Sequence, residues 1–395
     1  MPAHVWRHAI KTAKDTLMKT VCEPNMCTAC TACIELCPKS AIRLSDRLKN
    51  VNALIDESRC INCGLCEKVC QVIHPPEMQE PIKWFQGWSR DQEHRRKSSS
   101  GGFAISLAGQ FISEGGYVAS CTYEGAEYIY TLTNKSSDIE RFRGSKYVKS
   151  SPSGVYPGIK KLLKDGIKVL FIGLPCHVAG LKNYMGRNYD NLFTVDLICH
   201  GSPSPELLEL FLKQYNTSLQ DLDALHFRQK GNFRLIGIPS ACKDPNRRPL
   251  TFTQPGIRDR YSIAFLYGLI YTENCYYCKY AGTRRCSDIT LGDSWGSELD
   301  AENREKGISL ALCQTVKGIE LLKRSSVELH KVNIEKAVAA NHQLREAFPQ
   351  PKNRDEFFHQ LSNEKNFNDA VKKCFPLACF RLDLKNTMLK HGILK

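Results

Sequence analysis

Two cysteine runs near the N-terminus constrain this chain more than any other feature. The first reads Cys27-Thr-Ala-Cys30-Thr-Ala-Cys33-Ile-Glu-Leu-Cys37-Pro38, and the second Cys60-Ile-Asn-Cys63-Gly-Leu-Cys66-Glu-Lys-Val-Cys70. Each is C-x2-C-x2-C-x3-C. Three closely spaced thiolates wrap three irons of a cubane, and the fourth, three residues on, reaches the partner cluster. The spacing therefore assigns one 4Fe-4S cluster to Cys27, Cys30, Cys33 and Cys70, and a second to Cys60, Cys63, Cys66 and Cys37. Structural zinc is the competing use of clustered cysteine, but tetrahedral zinc sites draw on pairs of C-x2-C, not four cysteines per run. Gln71 stands where the second run would carry a proline. The expected effect is a looser turn with no ligand lost.

Composition sets the surroundings. The chain has 395 residues, 19 of them cysteine, so two or three domains with a real core are expected. Abundant cysteine, odd in number, in a chain this long argues against a disulfide scaffold and for metal clusters in a reducing compartment, here the cytoplasm. Residues 1–20 read as a basic amphipathic helix with Val5, Ile10 and Leu17 apolar, and not as a signal peptide. No apolar run is long enough to span a bilayer. The net charge is +14, with basic groups at Arg95-Arg96-Lys97, Arg141 to Lys149, Arg247-Arg248 and Lys279 to Arg285. None forms a nucleic-acid module, and a basic balance alone does not imply nucleic acid. Solvated surface accounts for most of these residues. The sharper reading is steering of an acidic electron carrier, a ferredoxin or a flavodoxin, or of a partner subunit.

The fold class expected is α+β followed by α/β. Residues 20–75 make a small bacterial-type ferredoxin domain, with short strands at Ala41 to Leu44 and Val51 to Ile55. Pro75-Pro76 marks a linker, because neither a helix nor a central strand continues through it. Residues 84–333 make a larger mixed α/β domain. Its helices are expected at 101–113, 156–163, 178–184 and 205–214, alternating with strands at 116–121, 168–172 and 191–198. Antiparallel hairpins are expected after Leu225. Residues 334–395 read as a polar helical extension covering one face.

Four more cysteines have a telling setting. Cys176 and Cys199 follow two of the expected strands, where open α/β folds place their sites. Cys275 and Cys278 form C-x2-C. A metal site here competes with the plainer reading of buried thiols as packing residues. Cys286 follows closely and is read as a free thiol. Ser98-Ser-Ser-Gly-Gly102 is a small-residue loop leading into a helix, where free N–H groups and the helix dipole suit a pyrophosphate. An ordinary N-capped helix explains it equally well. Arg143-Gly-Ser-Lys146 adds two cations and a glycine turn.

At this point the chain resembles the coenzyme F-420 hydrogenase/dehydrogenase beta-subunit family. The resemblance rests on Ser99-Ser-Gly-Gly-Phe103, Arg143-Gly-Ser-Lys-Tyr147, Leu174-Pro-Cys-His177, Ile198-Cys-His-Gly201 and the segment from Cys275 to Gly296. It implies an iron–sulfur flavoprotein. Its cluster ligands would be Cys176, Cys199, Cys275 and Cys278, a third 4Fe-4S cluster. FAD would be held by Ser99, Ser100, Gly101, Gly102, Arg143, Gly144, Ser145, Lys146 and Tyr147. Relatives include deazaflavin-reducing hydrogenase subunits and the plant reductase of hydroxymethyl chlorophyll, and bacterial ones often accompany surface-polysaccharide biosynthesis. The chain departs from the family at His177, where Gln is common. His177 and His200, each directly after a cysteine, are candidate proton carriers beside a flavin. The bland alternative is packing with a hydrogen bond to sulfur. The function expected is an oxidoreductase that exchanges electrons between a ferredoxin-like or deazaflavin donor and a small organic substrate. The alternative is a non-catalytic electron-transfer subunit of a larger dehydrogenase complex.

Overall fold

The computed structural model describes residues 18–363 and 365–394. The N-terminal helix expected around Val5, Ile10 and Leu17 lies outside the described residues. The ferredoxin domain is built on a hairpin of β1 (Ile42–Asp46) and β2 (Val51–Ile55), paired antiparallel from Ile42 opposite Ile55 to Asp46 opposite Val51. Each cysteine run carries a five-residue helix, Ala32–Leu36 or Leu65–Val69. The two runs repeat the same backbone: Ala29 and Asn62 have φ of 60° and 52°, and the helix N-caps Thr31 and Gly64 have 59° and 71°. These left-handed turns bring backbone N–H groups onto sulfur. Ala29 N donates to Cys27 Sγ and Asn62 N to Cys60 Sγ, each at 3.4 Å.

The larger domain holds an eight-stranded sheet. Its strands are β3 (Lys83–Ser89), β4 (Tyr117–Glu124), β5 (Glu127–Thr133), β6 (Val169–Gly173) and β7 (Leu192–Leu197). A side hairpin follows, β8 (Leu222–Gln229) and β9 (Asn232–Pro239), extended by the two-residue β10 (Leu250–Thr251). The main sheet then gains β11 (Ile289–Asp293), β12 (Ser309–Cys313) and β13 (Val327–His330). Its order is β13-β3-β12-β11-β7-β6-β4-β5. The four inner strands β11, β7, β6 and β4 run parallel, and antiparallel strands close both edges. Strand β6 is apolar and buried throughout, and β7 is buried along almost its whole length though it carries Thr194 and Asp196, as helices on both faces require. The carboxyl ends of β6 and β7 lead into Cys176 and Cys199, so the sheet gathers these two candidate ligands at one end.

The elements match the expected alternation, with shifts at helix starts. The first long helix begins at Phe103 because Gly102 is its left-handed N-cap, φ 93°. The helix expected at 178–184 begins at Pro175 and runs to Met185, since proline suits the first helical turn. Cys176 and His177 are thereby helical. Beyond residue 333 the chain is helical but not merely a polar cover. Phe357, Phe358, Phe367, Ala370 and Val371 are buried in one core with Leu207, Phe211, Tyr261 and Phe265. The helices Arg354–Ser362 and Phe367–Cys374 are thus part of the main packing.

The ferredoxin domain is embedded, not appended. Val51, Ala53 and the buried cysteines share a core with Tyr156, Ile159, Val178 and Leu181 of the two helices that flank β6. Ser204 Oγ donates to Asp46 Oδ2 at 2.6 Å, Asn183 Nδ2 to His74 O at 2.7 Å, and Arg354 Nη2 to Lys49 O at 3.0 Å. Among the described residues, no helix is long and apolar enough to cross a membrane.

Candidate functional site

The two ferredoxin cysteine sets differ in depth. Cys27, Cys30, Cys33 and Cys70 are all buried. Burial pushes the Cys30 thiol up to about 12, and the charges of Cys27 and Cys70 add to it. Cys33 is likewise pushed up, by burial first and then by Cys27, Cys30 and Cys70. The four therefore share one neighbourhood, with Cys70 arriving from the other run. Cys22, which carries no spacing motif, adds a fifth thiol. This neighbouring thiol draws the Cys27 thiol down and the Cys70 thiol to about 6. Its signal in the sequence is only its closeness to Cys27.

Cys37, Cys60, Cys63 and Cys66 line one cavity of about 190 Å³ together with Lys19, Lys39 and Glu67. Cys37 thus faces the second run and not its own, as crossed ligation requires. This set lies nearest solvent: Cys63 is exposed, beside Ile61 and Leu65 at 56% and 36% exposure. Ala41 N donates to Cys37 Sγ at 3.3 Å.

A second cavity, of about 60 Å³, brings together Cys176, Cys199, Cys275 and Cys278. They come from the Pro175–Met185 helix, the loop after β7, and the turn at Glu273–Tyr277 with Cys278 as its C-cap. Burial pushes the Cys176 thiol well above the ordinary range; Lys149 pulls it back, and the other three cysteines raise it. Burial holds Cys199 at about 12, helped by Cys275 and Cys278. Thr272 Oγ1 and Asn274 Nδ2 lie 3.6 and 3.7 Å from Cys275 Sγ. Cys286 is buried but does not line the cavity. No three His, Cys, Asp or Glu side chains among the described residues close on a single metal ion. Thiolates on one zinc, each about 2.3 Å from it, would crowd within roughly 4 Å of one another.

Met26, Thr28, Gln71 and Val72 of the ferredoxin domain form part of the same cavity wall. Gln71 does more than loosen a turn. It is buried, its Nε2 donates to Thr28 Oγ1 at 2.7 Å, and its Oε1 accepts from Tyr280 OH. One side chain ties both ferredoxin runs to the Cys275–Cys278 turn.

The two histidines part company. His177 is fully buried, with Nδ1 3.0 Å from Tyr130 OH, and it does not line the cavity. Burial pushes it down to about 3. His200 lines the cavity, with Nδ1 3.0 Å from Gln343 Nε2, and burial lowers it to about 4.

The residues expected at the flavin are brought together. Ser145 N donates to Ser99 Oγ at 3.0 Å, and Arg143 Nη1 to His94 O at 3.2 Å. Lys146 Nζ donates to the carbonyls of Phe142 and Arg143, at 2.8 and 2.9 Å. Tyr147 stacks on Phe265, centroids 4.2 Å apart. Lys230 Nζ donates to Ser100 O at 2.9 Å, a third cation at the loop. Ser99, Ser100, Gly144 and Ser145 lie together just before the helix that begins at Phe103, and Arg143 there is paired with Glu140 through Nε and Nη2, at 2.5 and 2.6 Å. Gly101 does not serve as open approach. A Cβ there would meet Gly87 O at 2.4 Å and Ser309 N at 2.5 Å, so the glycine lets the loop lie against β3 and β12.

Residues 166–337 match the family described as the C terminus of the beta subunit of coenzyme F420 hydrogenase/dehydrogenase. Residues 18–72 match the 4Fe-4S dicluster domain. Among solved structures, the chain is similar to one from the F420-reducing [NiFe] hydrogenase complex of Methanosarcina barkeri. Identity is 19%, over 74% of this chain and 97% of that one, with a TM-score of 0.46. No curated protein matches it.

Proposed function

We propose that this chain, in which a 4Fe-4S dicluster domain is joined to the C-terminal domain of the beta subunit of coenzyme F420 hydrogenases and dehydrogenases, is a cytoplasmic iron–sulfur flavoprotein oxidoreductase with a third 4Fe-4S cluster. The third cluster's ligands are Cys176, Cys199, Cys275 and Cys278. The observation that carries the reading is the convergence of these four, from three separate segments, on one cavity walled by the ferredoxin domain. When bound, the clusters supply one-electron relays, and FAD supplies two-electron exchange with a small organic substrate.

The chain's own residues arrange the sites by depth. The Cys37, Cys60, Cys63 and Cys66 set meets solvent, where an acidic electron carrier or a partner subunit docks. The Cys27 set is enclosed, and Gln71 and Tyr280 join its loops to the Cys176 set. Ser99, Ser100, Arg143, Lys146 and Lys230 hold the phosphates of FAD, with the Phe103–Ser113 helix dipole adding to the attraction. His200, on the cavity wall and neutral at neutral pH, is the candidate proton carrier, while His177 positions Tyr130.

Anaerobic purification with iron, sulfide and flavin quantification tests this, followed by a screen of electron acceptors with the isolated chain. Stoichiometric FAD and about twelve irons, four per cubane, are expected. About eight irons and no flavin would overturn it. Full cofactor content without turnover on any acceptor would favour the electron-transfer subunit instead.

A further inference from the structure

We propose that Lys149 is a shared buried cation that raises the reduction potentials of both the Cys27 centre and the Cys176 centre, and so matches them for electron exchange. Lys149 is a positioning residue acting through charge, not a ligand. The proposal rests on the three-cluster reading above.

Lys149 lies in the run Val148 to Ser151, all four residues at most 4% exposed. The backbone is pinned on both sides. Lys149 N donates to Pro203 O at 2.8 Å, just beyond Cys199, and Ser151 N donates to Tyr128 O on β5 at 2.8 Å. The side chain lines the cavity with Cys176 and Cys199. The same cavity wall includes Met26 and Thr28, the two neighbours of Cys27 in the ferredoxin domain, so the Lys149 side chain lies between the two cysteine sets.

A buried ammonium is unfavourable unless an anion compensates it. Among the described residues Lys149 has no ion-pair partner within 4 Å. Asp46, a carboxylate on the ferredoxin hairpin, is occupied by Ser204 Oγ at 2.6 Å and Leu48 N at 2.9 Å. A cubane held by four thiolates is anionic and gains one more negative charge on reduction. A nearby cation therefore favours the reduced form, and net charge around a cluster is one determinant of its potential. The interaction is stronger where water is excluded. The surface set at Cys37, Cys60, Cys63 and Cys66 lines a separate cavity that Lys149 does not reach, and is an internal control.

The test is an EPR-monitored redox titration of the anaerobically prepared full chain and of Lys149→Met and Lys149→Arg. Lys149→Met should move the midpoints of the Cys27 and Cys176 centres to lower potential and leave the surface centre in place. Lys149→Arg should restore both midpoints. If Lys149→Met loses iron, full iron in Lys149→Arg still supports a need for the charge, and loss in both variants overturns it. Unmoved potentials, or an equal shift in all three centres, would also overturn it. About eight irons in the wild type would instead fail the three-cluster reading itself, which separates the two failures.

Discussion

Gly180 carries no side chain where Cys30 lies: a Cβ there would stand 2.8 Å from Cys30 Cβ and 2.9 Å from its sulfur. Gly180 is four residues after Cys176 on the same helix. Residues four apart share a helix face, one turn or about 5.4 Å along it. One helix face therefore touches a cysteine of the ferredoxin set and supplies a cysteine to the other set. The two sites are neighbours because a single rigid element serves both.

Gly180→Ala should accordingly displace Cys30 and weaken the cluster held by Cys27, Cys30, Cys33 and Cys70. The surface cluster should survive. Iron content and EPR of the variant check this, and a full wild-type spectrum would show that Cys30 has room to move.

Crossed ligation predicts that Cys37→Ser damages the cluster of Cys60, Cys63 and Cys66, since these four share one cavity. Loss confined to the signal of the Cys27 cluster would contradict the assignment.

Gln71→Pro removes the bonds to Thr28 and Tyr280. Leaving a buried Tyr280 hydroxyl unpaired costs about 1–3 kcal/mol. Both ferredoxin clusters should remain, because no ligand is touched, while the thermal midpoint falls. Calorimetry decides: an unchanged midpoint would mean that the bridge does not stabilise the domain contact.

Thr31 is a β-branched residue at φ 59°, where the equivalent position of the second run is Gly64. Its buried hydroxyl also lacks a partner. The left-handed region costs an ordinary residue about 1–2 kcal/mol. Thr31→Gly should therefore raise stability by about 1 kcal/mol, read from thermal melts at full cluster occupancy. A drop would mean that the threonine methyl packs better than its backbone suits it.

Docking of an acidic carrier should slow as salt rises, because screening acts over about 8 Å at physiological ionic strength. Stopped-flow rates with a ferredoxin or flavodoxin measure this. A salt-independent rate would point to a permanent partner subunit or a neutral donor.

The cysteine sets of the ferredoxin domain were legible because spacing along the chain fixes them; three thiolates two residues apart reach one cubane whatever the rest does. The parallel strand β6 was legible as a short apolar run, and β7 as a mostly apolar one broken by Thr194 and Asp196. Gln71 reads in the sequence only as a missing proline, because its partners Thr28 and Tyr280 are distant in sequence from one another. Cys22 and Lys149 carry no motif; only folding shows which thiols and which cavity they face. The aromatic packing of Phe357 and Phe367 was hidden among polar neighbours whose helical faces point outward. Gly101 reads in the sequence as half of a glycine pair; only the fold shows that it clears the backbone of β3 and β12.

The most direct measurement is iron and sulfide content, with EPR of the reduced protein, for wild type and Cys278→Ala prepared anaerobically side by side. The account predicts that the variant loses about four irons and one cluster signal while both ferredoxin signals persist. Wild-type iron and an unchanged spectrum in Cys278→Ala would contradict it.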